Sequence, residues 1–397
     1  MKILFLNRVA APVEGGMNQY VLDVAARLRT AGETVALVHA RNPPSQFHGT
    51  GYVFDHLDQF TPDSHEVFVR LEAILEDFQP DLVQLHGVSN AALLPWLAKR
   101  LPTVQFVHNH RYYCSGGDMT WRRPRRLCHR PHGRSCLVNH AACGCGTGNP
   151  ARTWMRFRAV GRELAALRTL RGIQVASPVI RENLERNGID PARITLLPLY
   201  APEPADERRP MAVGRRMVLH VGGLLKKKGA WLMLRGLDRL PPDVELVFAG
   251  GGELESELCG EIHRRGLGGR VRVMGELDPH GWSALLHQVT LVVMPSRWNE
   301  PLGLPGLQAM AHGKAVVAFR SEGVAGWLQD GVNGVTVPFN NAPAFLRAVR
   351  ELLDTPPRLT EMGRRGLDLW KDQFQPATHI TRLRKYYRRI TSEPPSA

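Results

Sequence analysis

Glu300 heads the stretch Asn299–Ala318, NEPLGLPGLQAMAHGKAVVA, as an acid in front of a Gly/Pro-rich turn. A short small-residue helix, Leu307 to His312, and a buried strand, Ala315 to Ala318, are expected behind it. A loop that feeds a helix N-terminus presents free backbone N–H groups, and these suit an anion. A second such loop is His220-Val221-Gly222-Gly223-Leu224-Leu225-Lys226-Lys227-Lys228-Gly229. There glycine lets the backbone approach a ligand, and a lysine can neutralise a diphosphate. Ala249-Gly250-Gly251-Gly252-Glu253 is a third, and Gly15-Gly16, between an apolar strand and a helix, a fourth. Pro12-Val13-Glu14-Gly15-Gly16-Met17 lacks the G-x-G-x-x-G spacing, which argues against a dinucleotide fingerprint. Each feature has a plainer reading: a glycine pair is often a turn, and three loop lysines are often solvated.

Val107-His108-Asn109-His110 places a histidine directly after an apolar strand. Alone it reads as a satisfied structural histidine as readily as a ligand contact. Cys114, Cys128, Cys136, Cys143 and Cys145 crowd into one segment at spacings of 14, 8, 7 and 2, with His110, His129, His132 and His140 among them. The sixth cysteine, Cys259, stands apart. In a reducing compartment such a group favours metal over disulfides. The spacings do not make the paired C-x2-C knuckles of a standard zinc site. Structural zinc comes first, reduced thiols second and disulfides last. A catalytic metal is not expected, and no Asp-x-Asp occurs anywhere in the chain.

The chain has 397 residues, enough for two or three domains, with 43% hydrophobic residues. No apolar run approaches the ~20 residues of a membrane span. The apolar start of MKILFLNR is too short for a secretory segment and reads as a first strand, so a cytoplasmic location is expected. The net charge of +14 implies an anionic partner. Arginines concentrate at 122–134 and again at 152–171. Trp154, Phe157, Val160, Leu164 and Leu167 fall at helical spacing among the second group. That is either a core-packed helix with a solvated side or a basic amphipathic helix on the inner face of an anionic membrane.

Short apolar runs alternate with helical patterns, as in a parallel βα series. Strands are expected at Lys2–Leu6, Thr34–His39, Asp81–His86, Val104–Val107, Ile173–Ala176 and Thr195–Leu199. A second set runs Met217–Val221, Glu245–Ala249, Val271–Met274, Leu291–Met294, Ala315–Ala318 and Val335–Pro338. Helices are expected at Met17–Thr30, Ser89–Arg100 and Asp368–Thr391. The domains then run 1–199, with a Cys/Arg-rich insert near 111–150, and 217–367, joined by a Pro-rich linker at 200–216 and followed by a tail at 368–397.

The Glu300 block, the Lys-Gly loop, the GG loop and the Val-His motif together resemble the retaining GT-B glycosyltransferases of family four. The resemblance implies an α/β fold of two Rossmann-like domains facing a central cleft, with a C-terminal helix crossing back to the N-terminal domain. It implies sugar transfer with retention, from a UDP- or GDP-linked donor to a saccharide or lipid-linked acceptor in envelope polysaccharide or glycolipid synthesis. His108, Glu300 and Lys228 take the catalytic places. Gly15, Gly16, Gly222, Gly223, Gly251, Leu277, Gly303, Leu304 and Gln308 take the donor-binding places. Two positions depart from the pattern. The second acid of E-x7-E is Gln308, and Gly223 stands where an arginine is usual. Some members resemble this segment, with an H-N-Y-R-x-x-C start where this chain reads His108-Asn109-His110-Arg111-Tyr112-Tyr113-Cys114, and with cysteines further on. A non-catalytic binding protein, a nucleotide-sugar epimerase of the same fold and a nucleic-acid binder built on the Arg/Cys segment are the rivals. The last leaves two Rossmann-like halves unexplained.

Overall fold

The computed structural model describes residues 1–7, 15–39, 49–54, 65–88, 90–146, 148–204 and 216–392. The turn 8–14 ahead of Gly15 and the centre of the Pro-rich stretch, 205–215, lie outside the described residues. The chain forms two compact units. The first comprises Met1–Arg123, Cys128–Pro198 and His379–Ala397, and the second Pro124–Leu127 and Leu199–Thr378.

In the first unit the strands are β1 (Lys2–Asn7), β2 (Thr34–His39), β3 (Thr50–Val53), β4 (Leu82–His86) and β5 (Thr103–Val107). Two short strands follow within the Arg-rich insert, β6 (Thr120–Arg122) in this unit and β7 (Arg125–Leu127) in the segment that belongs to the second. β8 (Gly172–Val175) and β9 (Ile194–Leu196) complete the set. Seven of them make one parallel sheet in the order β3-β2-β1-β4-β5-β8-β9. β4 and β5 are buried at every position, so apolar residues fall on both faces, and their central Gln84 and Gln105 are hydrogen-bonded inside, to Gln174 at 3.1 Å and to the Leu85 carbonyl at 3.2 Å.

The second unit starts the pattern again with β10 (Arg216–Val221), β11 (Val244–Ala249), β12 (Val271–Val273), β13 (Leu291–Met294), β14 (Val316–Phe319) and β15 (Gly334–Val337). They form a parallel sheet in the order β12-β11-β10-β13-β14-β15. Chain order reverses between β1 and β4 in one sheet and between β10 and β13 in the other. In such sheets ligands bind outside the carboxyl ends of the strands at that reversal.

The expected strands all appear, most within a residue or two. β3 and the two short strands of the insert were not expected. The tail is two helices, Pro356–Gln373 and Pro376–Ser392, and not one. Pro376 cannot donate to a preceding turn, so the chain breaks there and starts afresh. The last helix is fastened within the first unit. Arg384 donates to Glu33 at 2.7 Å, and Glu33 also accepts from the N-terminal ammonium at 3.0 Å. Tyr387 donates to the buried Gln84. A Cβ on Gly172 of β8 would come 2.3 Å from the Tyr386 hydroxyl, so this helix packs where only glycine leaves room.

His379, on the first turn of the same helix, is buried between the Tyr20 hydroxyl at 2.8 Å and the Pro198 carbonyl at 2.8 Å. Burial pushes His379, His220 and His312 down to about 4. The unfolded chain protonates near the ordinary histidine value of about 6.5, so between there and pH 4 the unfolded state binds more protons. Stability should therefore hold above pH 6.5 and fall below it, by about 1 kcal/mol per pH unit for each histidine. The apparent Tm should drop between pH 6.5 and 5, and His379→Gln should make the drop shallower. A flat Tm across that window would show that these rings are not held neutral by burial.

Candidate active site

The centre of the second unit's site is one ion pair. Lys228 follows β10 and Glu300 follows β13, so the loops that carry them flank the reversal in strand order. Lys228 Nζ lies 2.6 Å from Glu300 Oε1, with side-chain exposures of 16% and 4%. Ser296 donates to the same oxygen at 2.6 Å. Burial alone would raise the Glu300 carboxyl. The Lys228 charge and bonds from Lys228, Ser296 and Trp298 outweigh it and hold the group below the usual range. The Trp298 ring also lies under Lys227, whose ammonium is 3.7 Å from the ring centroid.

Both loops are pinned by backbone contacts. Arg297 N–H donates to the Lys227 carbonyl at 2.7 Å, tying one loop to the other. Gly229 has φ +80°, and a Cβ there would meet the Pro295 carbonyl at 2.1 Å. The fully buried Asn299 donates to Glu322 at 2.6 Å and accepts from its N–H at 3.1 Å. The Trp327 indole donates to the Leu302 carbonyl. Gly303, at φ +86°, then turns the chain into the helix Leu304–Ala311. Gln308 lies half-buried on that helix.

The glycine loops line the same strand ends. Gly222 and Gly223 follow β10, Gly251 follows β11, and Leu277 lies in the loop after β12. Leu224 N–H donates to the Gly251 carbonyl at 2.8 Å, and Gly250 N–H to the Gly275 carbonyl at 2.8 Å. Gly223 differs from its neighbours. It has no positive φ, and a Cβ would meet nothing nearer than the Gly251 carbonyl at 3.4 Å. The backbone there accepts a side chain, so the missing arginine is a choice of sequence and not a demand of the fold.

In the first unit Gly15 and Gly16 open the helix Gly15–Thr30 that follows β1. His108 sits just past β5, its ring 3.8 Å from that of Phe106 between centroids. His86, the last residue of β4, lies 3.1 Å from it, Nδ1 to Nε2. Burial pushes His108 down to about 3, and burial with the neighbouring His108 ring holds His86 well below the ordinary value. The pair therefore shares one hydrogen bond as two neutral rings. His86, Ser296 and Trp298 escaped sequence reasoning. The available signal for His86 was a polar residue closing the apolar run LVQLH at a strand's carboxyl end.

The Cys-rich segment resolves into two environments. Cys114, Cys128, Cys136 and Cys145 line one small cavity with Arg130, Asn139 and His140. Cys143 is not among its walls. Cys143 is buried near Asn139, and its carbonyl accepts from Arg122 and Arg123 N–H. Burial raises the thiols of Cys114 and Cys136 and, with the neighbouring cysteines, pushes Cys145 up to about 12. All six cysteines are unpaired. Among the described residues no group of three or more His, Cys, Asp or Glu side chains is placed so as to hold a metal ion.

Residues 204–368 match the family model for glycosyl transferases group 1, and residues 15–199 that for the glycosyl transferase 4-like domain. The alpha-D-kanosaminyltransferase of Streptomyces kanamyceticus is 27% identical over 77% of this chain and 75% of its own length. The alpha-maltose-1-phosphate synthase of Mycolicibacterium smegmatis is 24% identical over 99% of this chain and all of its own. Among solved structures, Alr3699/HepE of Anabaena in complex with UDP and glucose matches with a TM-score of 0.70 at 19% identity, over 98% of this chain and 99% of that one. Two matched halves, a parallel sheet in each unit and full-length relatives make this chain a glycosyltransferase of family four, on the GT-B fold.

Proposed function

We propose that the protein transfers a sugar from a UDP-linked donor to a hydroxyl acceptor with retention, without a catalytic metal. The observation that carries this reading is the buried Lys228–Glu300 pair at the β10/β13 reversal. A donor diphosphate placed at these strand ends would meet the Lys228 ammonium and the N–H groups of the glycine loops and of the helix Leu304–Ala311. That charge can stabilise the leaving diphosphate as the bond to the sugar breaks. Glu300 would then accept from the sugar hydroxyls. The acceptor oxygen bonds to the anomeric carbon on the face that the diphosphate leaves, and its proton passes to the departing phosphate oxygen. No carboxylate nucleophile is needed on this course, unlike in retaining hydrolases. His108 and His86, both neutral, serve as hydrogen-bonding groups and not as acids or bases. UDP in place of GDP is favoured by the Anabaena neighbour, which was solved with UDP and glucose.

Glu300→Gln should lower transfer by about two to four orders of magnitude with the fold intact, read as release of UDP from a panel of UDP-sugars. Lys228→Met leaves a buried carboxylate unpaired and should cost about 3–5 kcal/mol of stability. The double variant should recover most of that stability but no activity. Turnover near wild type in Glu300→Gln would remove Glu300 from the mechanism.

The two departures from the family pattern make a separate test. Gln308→Glu restores a charged partner for the ribose and should tighten UDP binding by about tenfold. Gly223→Arg, which the backbone admits, should tighten it further and steepen its salt dependence. Weaker binding in both, by calorimetry, would mean that these positions do not face the nucleotide.

The acceptor is proposed to be a saccharide or lipid-linked molecule of the cell envelope, reached from the cytoplasmic face of an anionic membrane. Among the described residues no helix is long and apolar enough to cross a membrane. The apolar stripe of the helix Pro150–Leu167 is not a membrane face as a whole, because Val160, Leu164 and Leu167 are in the core. Its first turns are different. Trp154 and Met155 are about half exposed, and Leu137 and Val138 are exposed on the adjacent helix Arg134–Ala142. Arg134, Arg152, Arg158 and Arg162 are exposed around them. Binding to vesicles containing anionic lipid should weaken with salt, each arginine near the surface contributing about 1 kcal/mol. Arg152→Glu with Arg158→Glu should release the protein and leave UDP binding unchanged. Equal partitioning into neutral and anionic vesicles would point to a soluble acceptor.

A further inference from the structure

We propose that Cys114, Cys128, Cys136 and Cys145 form a tetrahedral Zn²⁺ site that holds the Cys-rich insert together. The four thiols come from separate places in the chain: after β5, after β7, on the helix Arg134–Ala142, and after that helix. They meet around a cavity of about 20 Å³. That is room for one small occupant and no more. A water there would need two to four good polar partners, and thiols are weak ones. Zn²⁺ takes four thiolates at about 2.3 Å, so on binding the four side chains would have to close on a common point from the positions they hold around the cavity.

The surroundings fit a zinc–thiolate centre in three ways. First, the walls are already fastened. Gly116 lies against the backbone of Cys145, where a Cβ would meet the carbonyl oxygen at 2.6 Å. Cys128 N–H donates to the Met119 carbonyl at 2.8 Å. Second, a supporting hydrogen bond is in place. His140 Nδ1 lies 3.3 Å from Cys145 Sγ, and Ser115 Oγ lies 2.8 Å from His140 Nε2. With the Ser115 hydroxyl donating to Nε2, the Nδ1–H points at the sulfur and would stabilise a thiolate there, as outer-shell groups do at metal sites. Third, the charge balances. Four thiols give up four protons to solvent on binding, leaving a centre of net charge −2. Arg130 lines the cavity, so the arginine run has a local use beyond solubility.

The insert also has little else to hold it. Between Cys114 and Gly146 the buried side chains beyond cysteine are few: Ser115, Met119, Trp121 and Asn139. A segment of this size rarely stays folded on so small an apolar core without a cross-link.

The test is the metal content of the full chain, purified under reducing conditions, by elemental analysis. One zinc per chain is expected, and it should fall below half with Ser at 114, 128, 136 or 145. Cys143→Ser and Cys259→Ser should keep it. His140→Ala should keep the stoichiometry and weaken affinity for zinc by about 10–100-fold in chelator competition. Because a serine variant could lose zinc merely by misfolding, the wild-type chain is also loaded with Co²⁺. Sulfur-to-cobalt charge-transfer bands and the d–d bands of a tetrahedral all-sulfur site are expected. Metal-free folded protein, a free-thiol count below six without zinc, or equal zinc in all six single variants would overturn the site.

Discussion

Two charges that attract across a low-dielectric gap organise the candidate site of the second unit. Lys228 and Glu300 belong to different loops, 72 residues apart, and are both largely removed from water. Neither would be tolerated there alone, because an unpaired buried charge costs several kcal/mol. The pair therefore demands that β10 and β13 lie side by side, which their register provides. It also demands that both loops be rigid. The Arg297–Lys227 backbone bond, the glycine at 229 and the Asn299–Glu322 clasp meet that demand. The Lys228 ammonium is thereby oriented in advance, its charge held against a carboxylate.

The first unit uses the opposite electrostatic strategy. His86 and His108 lie at corresponding strand ends, yet burial keeps both rings uncharged. Sealing the C-terminal helix onto this unit relies on the same device. His379 is neutral between a tyrosine hydroxyl and a carbonyl, and the charged contacts of that helix, Arg384 with Glu33, lie nearer the surface.

The Cys/Arg-rich insert obeys different rules from the sheets. It offers few apolar side chains, so its order comes from glycine close-packing, backbone bonds and the cluster of thiols. The helix that carries Cys136 also carries the exposed Leu137 and Val138. A metal that fixes this helix would fix an apolar and arginine-rimmed surface with it.

Strand content was legible in the sequence because burial on both faces writes each parallel strand as a short apolar run. A glycine-rich loop with a lysine, an acid ahead of a Gly/Pro turn and a histidine at a strand end are local patterns, and Lys228, Glu300 and His108 were singled out as candidates through them. What was not legible depends on partners distant in the chain. That Glu300 is matched by Lys228, that His86 stands beside His108, and that Cys143 is excluded from the cavity its four neighbours share follow from strand order and helix packing. The break at Pro376 was written in the sequence and was overridden by the helical pattern around it. Local propensity and periodicity decided the elements. Which side chains meet was decided by tertiary structure, because a contact between residues tens of positions apart leaves no periodic trace in either segment.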